Sequence, residues 1–364
     1  MIINGQHFHT IWADSNNRES VKIIDQRKLP FEFSIKTLKS YSEAFDSIQK
    51  MVVRGAPLIG VTAAYGIYLA LCEKNTETHL EEWILQKCTK MKTARPTAVN
   101  LAYAVDEMQK VLHKVNNWEE AKLIAFDKAN ELKQQEIDHC NAIGDFGLAI
   151  IEEIAAKKGG EPVNILTHCN AGWLACIDWG TATAPIYKAH HKGIKVHVWV
   201  DETRPRNQGS RLTAFELKQE RVPHTVITDN TGGHLMQHGR VDLVMVGSDR
   251  TTRSGDVCNK IGTYLKALAA FDNHIPFYVA VPSSSIDFNI SNGITEIPIE
   301  ERDADEVRFM EGKNGKIQMI PDGSPVANFG FDVTPARLVT GLITERGICG
   351  ASEKEINELF GEKS

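Results

Sequence analysis

The sequence predicts an α/β protein: an N-terminal mostly helical domain, residues 1–140, followed by a Rossmann-like domain with a parallel sheet, residues 141–364. Three observations carry that expectation. At 364 residues the chain is longer than one hydrophobic core usually spans, so two domains are expected. Helical segments rich in Ala, Ile, Leu, Lys and Glu dominate it up to about residue 156. Beyond the loop Lys157-Lys158-Gly159-Gly160-Glu161-Pro162, short β-branched runs alternate with helical stretches, the pattern of a parallel sheet wound with helices.

Residues 21–25 read as a strand and 42–51 as a helix, with Asp25 and Gln26 placed to line a cleft. Arg54-Gly55-Ala56-Pro57 then opens an apolar helix. Pro57 suits a first turn, where its missing N–H is not needed, and Gly55 lets the backbone approach a ligand. Free N–H groups at that helix start, with Arg54 beside them, would cradle a phosphate. The arrangement recurs at Arg95-Pro96-Thr97, ahead of a helix with Val99, Ala102, Val105, Met108 and Leu112 on one face. Residues 118–156 continue as helix.

In the second half, apolar runs at 163–166, 196–200, 226–227, 241–246 and 277–281 are expected strands. Ligands of such sheets bind outside the carboxyl ends of the strands, so the residues following each run matter most. They are Thr167-His168-Cys169-Asn170, Asp201-Glu202-Thr203-Arg204, Thr228-Asp229-Asn230, Gly247-Ser248-Asp249-Arg250 and Pro282-Ser283-Ser284-Ser285. An amphipathic helix is expected just behind Asn259-Lys260, with Ile261, Tyr264, Leu265, Leu268 and Ala269 on its apolar face.

Cys169 stands where a helix should begin, a position that favours the thiolate, although free cysteines are more often simply buried. His168 is its neighbour in sequence, but neighbours on a strand face opposite sides, which argues against a Cys-His nucleophile pair. Asp249, at a strand end, is the acid candidate: a cleft with apolar walls raises a carboxyl pKa toward neutrality. Asp256 competes for that role. Gln208, Arg211, Asn259 and Lys260 could bond sugar hydroxyls or phosphate.

Composition narrows the classes. A formal charge of −6 and the lack of a dense basic run argue against a nucleic-acid partner. No apolar segment approaches the roughly 20 residues needed to cross a bilayer, so no membrane partner is expected. The N-terminus lacks a secretory pattern, and the seven cysteines show neither a C-x-x-C pair nor zinc spacing. A reduced, cytoplasmic protein is expected. No G-x-G-x-x-G follows the first run, which disfavours dinucleotide binding.

The motifs RGAPLIG from Arg54, ARPTAVNL from Ala94, THCNAG from Thr167, ETRPRNQGSRLTAFEL from Glu202, GSDR from Gly247, GDVCNKIGTY from Gly255 and FDVTPARLVTGLITERG from Phe331 together resemble the methylthioribose-1-phosphate isomerase family. The superfamily also holds the regulatory subunits of initiation factor 2B and ribose-1,5-bisphosphate isomerase. The resemblance implies a catalytic pair, Cys169 and Asp249. It implies contacts to a small-molecule sugar phosphate from Arg54, Gly55, Ala56, Arg95, Gln208, Asn259 and Lys260. It further implies a homodimer and no metal or nucleotide cofactor. The chain departs from the family pattern at Ser248, Thr251, Ser254, Trp173, Cys176 and 328–332. Those departures leave open a 5-deoxyribose 1-phosphate or ribose 1,5-bisphosphate as substrate; a non-catalytic regulatory subunit is the alternative of another class.

Overall fold

The structure, a computed structural model, describes residues 1–15, 17–73, 79–95 and 98–361. After a small three-stranded antiparallel sheet (Ile11–Ala13, Val21–Ile24, Ile35–Leu38), five helices build the first half of the chain: α1 (Tyr41–Gln49), α2 (Ala56–Cys72), α3 (Leu80–Lys92), α4 (Val99–Leu112) and α5 (Trp118–Lys157). Their ends are set locally. Ser40 accepts a hydrogen bond from the Glu43 N–H at the start of α1, and Asn117 accepts from those of Glu119 and Glu120 at the start of α5. α2 is apolar on every side and is buried along nearly its whole length, as a helix surrounded by others must be. On α4 the buried stripe runs through Leu101, Ala104, Val105, Met108 and Leu112, so it is rotated from the expected one, and Val99 and Ala102 are only half-buried.

α5 is continuous across residue 140. Its residues from Ala121 to Ile137 pack in the helical core, while Ile143 and Ile151 pack in the core beneath the sheet. One helix therefore serves both cores.

The main sheet has seven strands in the order Gly347–Cys349, Gly341–Thr344, Phe277–Ala280, Leu243–Gly247, Val163–Thr167, Val196–Asp201, His224–Ile227. All pairings are parallel except that between the two strands at 341–349. The five strands expected from sequence are there, and the pair at 341–349 adds an edge. From Val163–Thr167 the chain winds outward through Val196–Asp201 to His224–Ile227, then returns to the other side of Val163–Thr167 with Leu243–Gly247. The winding direction switches between the 163–167 and 243–247 strands, where such sheets open a crevice.

Residues 248–262 differ from expectation. They fold back as strands Arg250–Thr252 and Val257–Lys260, in a four-stranded sheet with Ile286–Asp287 and Phe331–Thr334. Asn259 and Lys260 therefore end a strand; they do not start a helix, which begins at Thr263. That helix, Thr263–Asp272, buries Thr263, Lys266, Ala267 and Ala270, while Leu265 is 57% exposed. The rotation has a cause: Lys266 turns inward to a buried carboxylate, with its Nζ 3.2 Å from Asp201.

Candidate active site

Cys169 and Asp249 leave the carboxyl ends of the two strands that flank the switch point, Val163–Thr167 and Leu243–Gly247. Cys169 adopts a left-handed backbone (φ 63°), held by its N–H donating to Thr203 Oγ1 at 2.8 Å and by its carbonyl accepting from Thr213 Oγ1 at 2.7 Å. Such a conformation is uncommon for a residue with a side chain and is maintained only by its surroundings. No long helix starts here. A single turn, Trp173–Ala175, follows, so the expected helix dipole is absent. Burial pushes the Cys169 thiol up, Asp249 adds to that, and the Arg54 guanidinium and Lys260 ammonium oppose it. The cations, and not a helix, favour the thiolate. His168 faces away as its strand position requires, bonding Asp201 Oδ2 and the Ile261 carbonyl at 2.9 Å each.

Asp249 is half-buried, with its N–H donating to the Cys258 carbonyl at 3.0 Å. Its carboxylate has no ion-pair partner among the described residues. Asp256, the competing acid, accepts from the N–H groups of Gly293 and Ala336 and so caps two loops.

The anion-binding candidates come from three directions. Arg54 lies just before α2, with its Nη2 4.0 Å from Cys169 Sγ and 2.9 Å from the Asn170 carbonyl. Gly55 and Ala56 start α2, whose first turn has no side-chain cap and so presents free N–H groups. Gly55 (φ 98°) sits against the Ala175 backbone, so its missing side chain serves a protein contact as well as any ligand approach. Arg95 precedes α4 and places Nη2 3.4 Å from Glu300, while its buried Nε has no partner. Pro96 and Thr97 lie outside the described residues. Lys260 is 7% exposed, with Nζ 4.6 Å from the Phe331 ring centre and no carboxylate partner among the described residues. Burial lowers the pKa of both Arg95 and Lys260, and each also feels Arg302 and Arg54. Four cations thus converge on one region, far more than solvent-facing chance would place under so little water.

Gln208, half a turn before the 209–213 segment, lines a cavity of about 390 Å³ with Gln26, Met51, Arg54, Arg206 and Arg211. A second, narrower pocket is walled by Gly55, Ala56, Ile59, Arg95, Asp249 and Phe331. Cys169, Asn259 and Lys260 line neither and are buried. Asn259 Nδ2 donates to Thr263 Oγ1 at 3.0 Å. Arg211 turns to the carbonyls of Arg27 and Leu29, which makes it a brace for that loop.

Sequence reasoning missed Glu300 and Arg302. The Glu300 carboxylate lies between the two guanidiniums, 3.4 Å from Arg95 and 2.6 Å from Arg302. Nothing in the IEERD stretch signalled it, because charge runs on solvated loops read the same way. The unusual Ser248 and Thr251 bond each other at 2.8 Å. Two groupings have the donor set for a metal among the described residues: His7, His9 and Asp178, and His168, Asp201 and Asp229. In the second, Lys266 lies 3.2 Å from Asp201 Oδ2 and Asp229 receives the N–H groups of Thr203 and Arg204, which leaves the buried Asp201 Oδ1 as its one unpartnered carboxylate oxygen.

A thiol, a carboxylate and a cluster of partly buried cations can hold a phosphorylated small molecule while moving protons on it. Known proteins resemble this chain over nearly its whole length. Residues 52–351 match the Initiation factor 2 subunit family. The methylthioribose-1-phosphate isomerase of Desulfatibacillum aliphaticivorans is 56% identical over 367 residues, covering 100% of both chains. The crystal structure of 5-methylthioribose 1-phosphate isomerase from Pyrococcus horikoshii OT3 superposes with a TM-score of 0.84 at 35% identity, covering 98% of this chain and 96% of that one. A structure described as the translation initiation factor eIF-2B, subunit delta, from A. fulgidus gives 0.81 at 35% identity, covering 98% and 100%.

Proposed function

The chain belongs to the Initiation factor 2 subunit family and, within it, to the methylthioribose-1-phosphate isomerases, and on that premise we propose how its site works. It is an aldose-ketose isomerase that converts 5-methylthioribose 1-phosphate to 5-methylthioribulose 1-phosphate in methionine salvage. The phosphate blocks the anomeric oxygen of this substrate, so its ring cannot open to a free aldehyde. Ring opening instead needs a proton on the ring oxygen, and hydrogen must then pass from C2 to C1 as the C2 hydroxyl becomes a carbonyl.

Asp249 supplies the ring-oxygen proton. Cys169 either carries the C2 proton through an enediol-like intermediate or, if hydride shifts directly, stabilises the developing charge. Arg54, Arg95, Lys260 and the N–H groups at Gly55 and Ala56 hold the phosphate, while Gln208 and Asn259 take sugar hydroxyls. The observation that carries this reading is the emergence of Cys169 and Asp249 from the two strands flanking the switch point, with Arg54 beside the thiol.

The deciding experiment compares kcat/KM for 5-methylthioribose 1-phosphate, 5-deoxyribose 1-phosphate and ribose 1,5-bisphosphate; the first should be preferred, and no turnover of any would overturn the reading. Deuterium at C2 fully retained at C1 would exclude the proton-exchange route. The working form is a cytoplasmic homodimer. All seven cysteines are free, and no described helix is long and apolar enough to cross a membrane. Light scattering at assay concentration tests the dimer.

A further inference from the structure

Glu216 is buried to 0% exposure at the core of the second domain, where the proposed reaction makes no use of it. Burial pushes its carboxyl up to about 7. A carboxyl so placed is costly unless its oxygens are satisfied, and here they are. Oε1 accepts from Asn170 Nδ2 at 3.0 Å and from the Leu174 N–H at 2.8 Å, and Oε2 accepts from the Tyr187 hydroxyl at 2.9 Å. Gly172 makes the room: a Cβ there would fall 1.7 Å from Glu216 Oε2.

Asn170 is the link outward. Its Oδ1 accepts from Arg54 Nη1, its carbonyl accepts from Arg54 Nη2, and that same Nη2 is the atom 4.0 Å from Cys169 Sγ. Among the described residues Arg54 has no carboxylate partner, so Asn170 alone fixes the direction of its guanidinium. An amide side chain has two faces, one accepting and one donating, and its neighbours decide which way it points. The Leu174 N–H holds Glu216 Oε1 as an acceptor whichever protonation state the carboxyl has, which turns the Asn170 NH2 toward it and the oxygen toward Arg54. Thr213 acts in the same sense: its hydroxyl already donates to the Cys169 carbonyl, so its oxygen receives the other Asn170 N–H at 3.1 Å. Reversed, the amide would present N–H groups to Nη1, and the Asn170 carbonyl alone would be left to hold the guanidinium beside the thiol.

We propose that Glu216 is a positioning residue that orients the Asn170 amide and thereby aims Arg54 at Cys169. The proposal rests on the roles given above to Cys169 and Arg54. It predicts a graded series. Glu216→Gln keeps an accepting Oε1, locked by the Leu174 N–H, and offers Nε2 to the Tyr187 oxygen, so the Asn170 orientation survives. Glu216→Ala removes the acceptor, and Glu216→Asp withdraws it by one methylene while keeping the charge.

The test follows Cys169 alkylation by iodoacetamide against pH, by mass of the peptide that carries it, alongside kcat and KM. Glu216→Gln should keep the wild-type alkylation profile and an activity within about threefold. Glu216→Ala and Glu216→Asp should move the profile up by about one pH unit, an about tenfold slower reaction below the thiol pKa, with a comparable fall in kcat. Wild-type profiles in the Ala and Asp variants would overturn the proposal, and the Asp variant decides it alone if the Ala variant does not fold. An upward shift in the Gln variant would overturn it too, because charge and not amide orientation would then be at work. If alkylated wild-type enzyme keeps its isomerase activity, the failure lies in the role of Cys169 and not in the Glu216–Asn170–Arg54 contacts.

Discussion

Gly55 and Ala175 meet backbone to backbone: a methyl group on Gly55 would lie 2.3 Å from the Ala175 carbonyl oxygen. This contact seats the start of α2, which belongs to the helical half, against the turn that follows Cys169 in the sheet half. Gly55→Ala combines that clash with a side chain at φ 98°, and should cost about 3 kcal/mol. The check is a thermal melt beside substrate titration, with both Tm and affinity expected to fall.

Cys169→Ser and Asp249→Asn replace the proposed reacting groups with near-isosteres. Each should lower kcat by about 10²–10⁴ while the melting curve stays close to wild type. Normal turnover in either variant would remove that residue from the mechanism.

Arg95 is half-buried, with an enclosed, unpartnered Nε and a long 3.4 Å contact to Glu300, so part of its donor set is uncommitted. Arg95→Ala should raise KM about 10- to 100-fold with a smaller change in kcat, as expected for a group that binds substrate and transition state alike. An unchanged KM would count against a phosphate contact.

Lys260 poses the opposite trade. A buried ammonium without a carboxylate partner destabilises the fold, and burial lowers its pKa accordingly. Lys260→Met should therefore raise Tm while reducing kcat/KM by about 100-fold or more, the signature of a residue retained for chemistry. A variant that is both less stable and fully active would refute this.

Two pH windows follow from the buried carboxyls. Burial raises Glu136 from 4.5 to about 7, so the folded chain holds a proton that the unfolded chain releases, and stability falls as pH rises from about 4.5 to 7. Glu306, held down to about 2 by Arg302 and Arg206 despite its burial, acts the other way: its contribution is present above 4.5 and is lost as pH falls toward 2. Glu136→Gln should flatten the upper decline by on the order of 3 kcal/mol and leave the acid limb unchanged. Tm measured from pH 2 to 8 decides it.

The sequence by itself determined the strands, because β-branched runs at 163, 196 and 243 bury both faces in a parallel sheet and leave no other reading. It likewise determined that Cys169 and Asp249 leave strand ends, and that Arg54 and Gly55 stand at a helix start, since local geometry follows local pattern. Three things were decided only by tertiary structure. Asn259 and Lys260 lie in a strand because Phe331–Thr334, more than 60 residues away, pairs with them. The 263–272 helix turns Leu265 outward because Lys266 finds Asp201 inside. Glu216 and Glu300 enter the site through partners far along the chain, Asn170 and Arg95. Periodicity reports which face of an element avoids water; which distant charge or strand lies opposite that face depends on how the chain closes on itself.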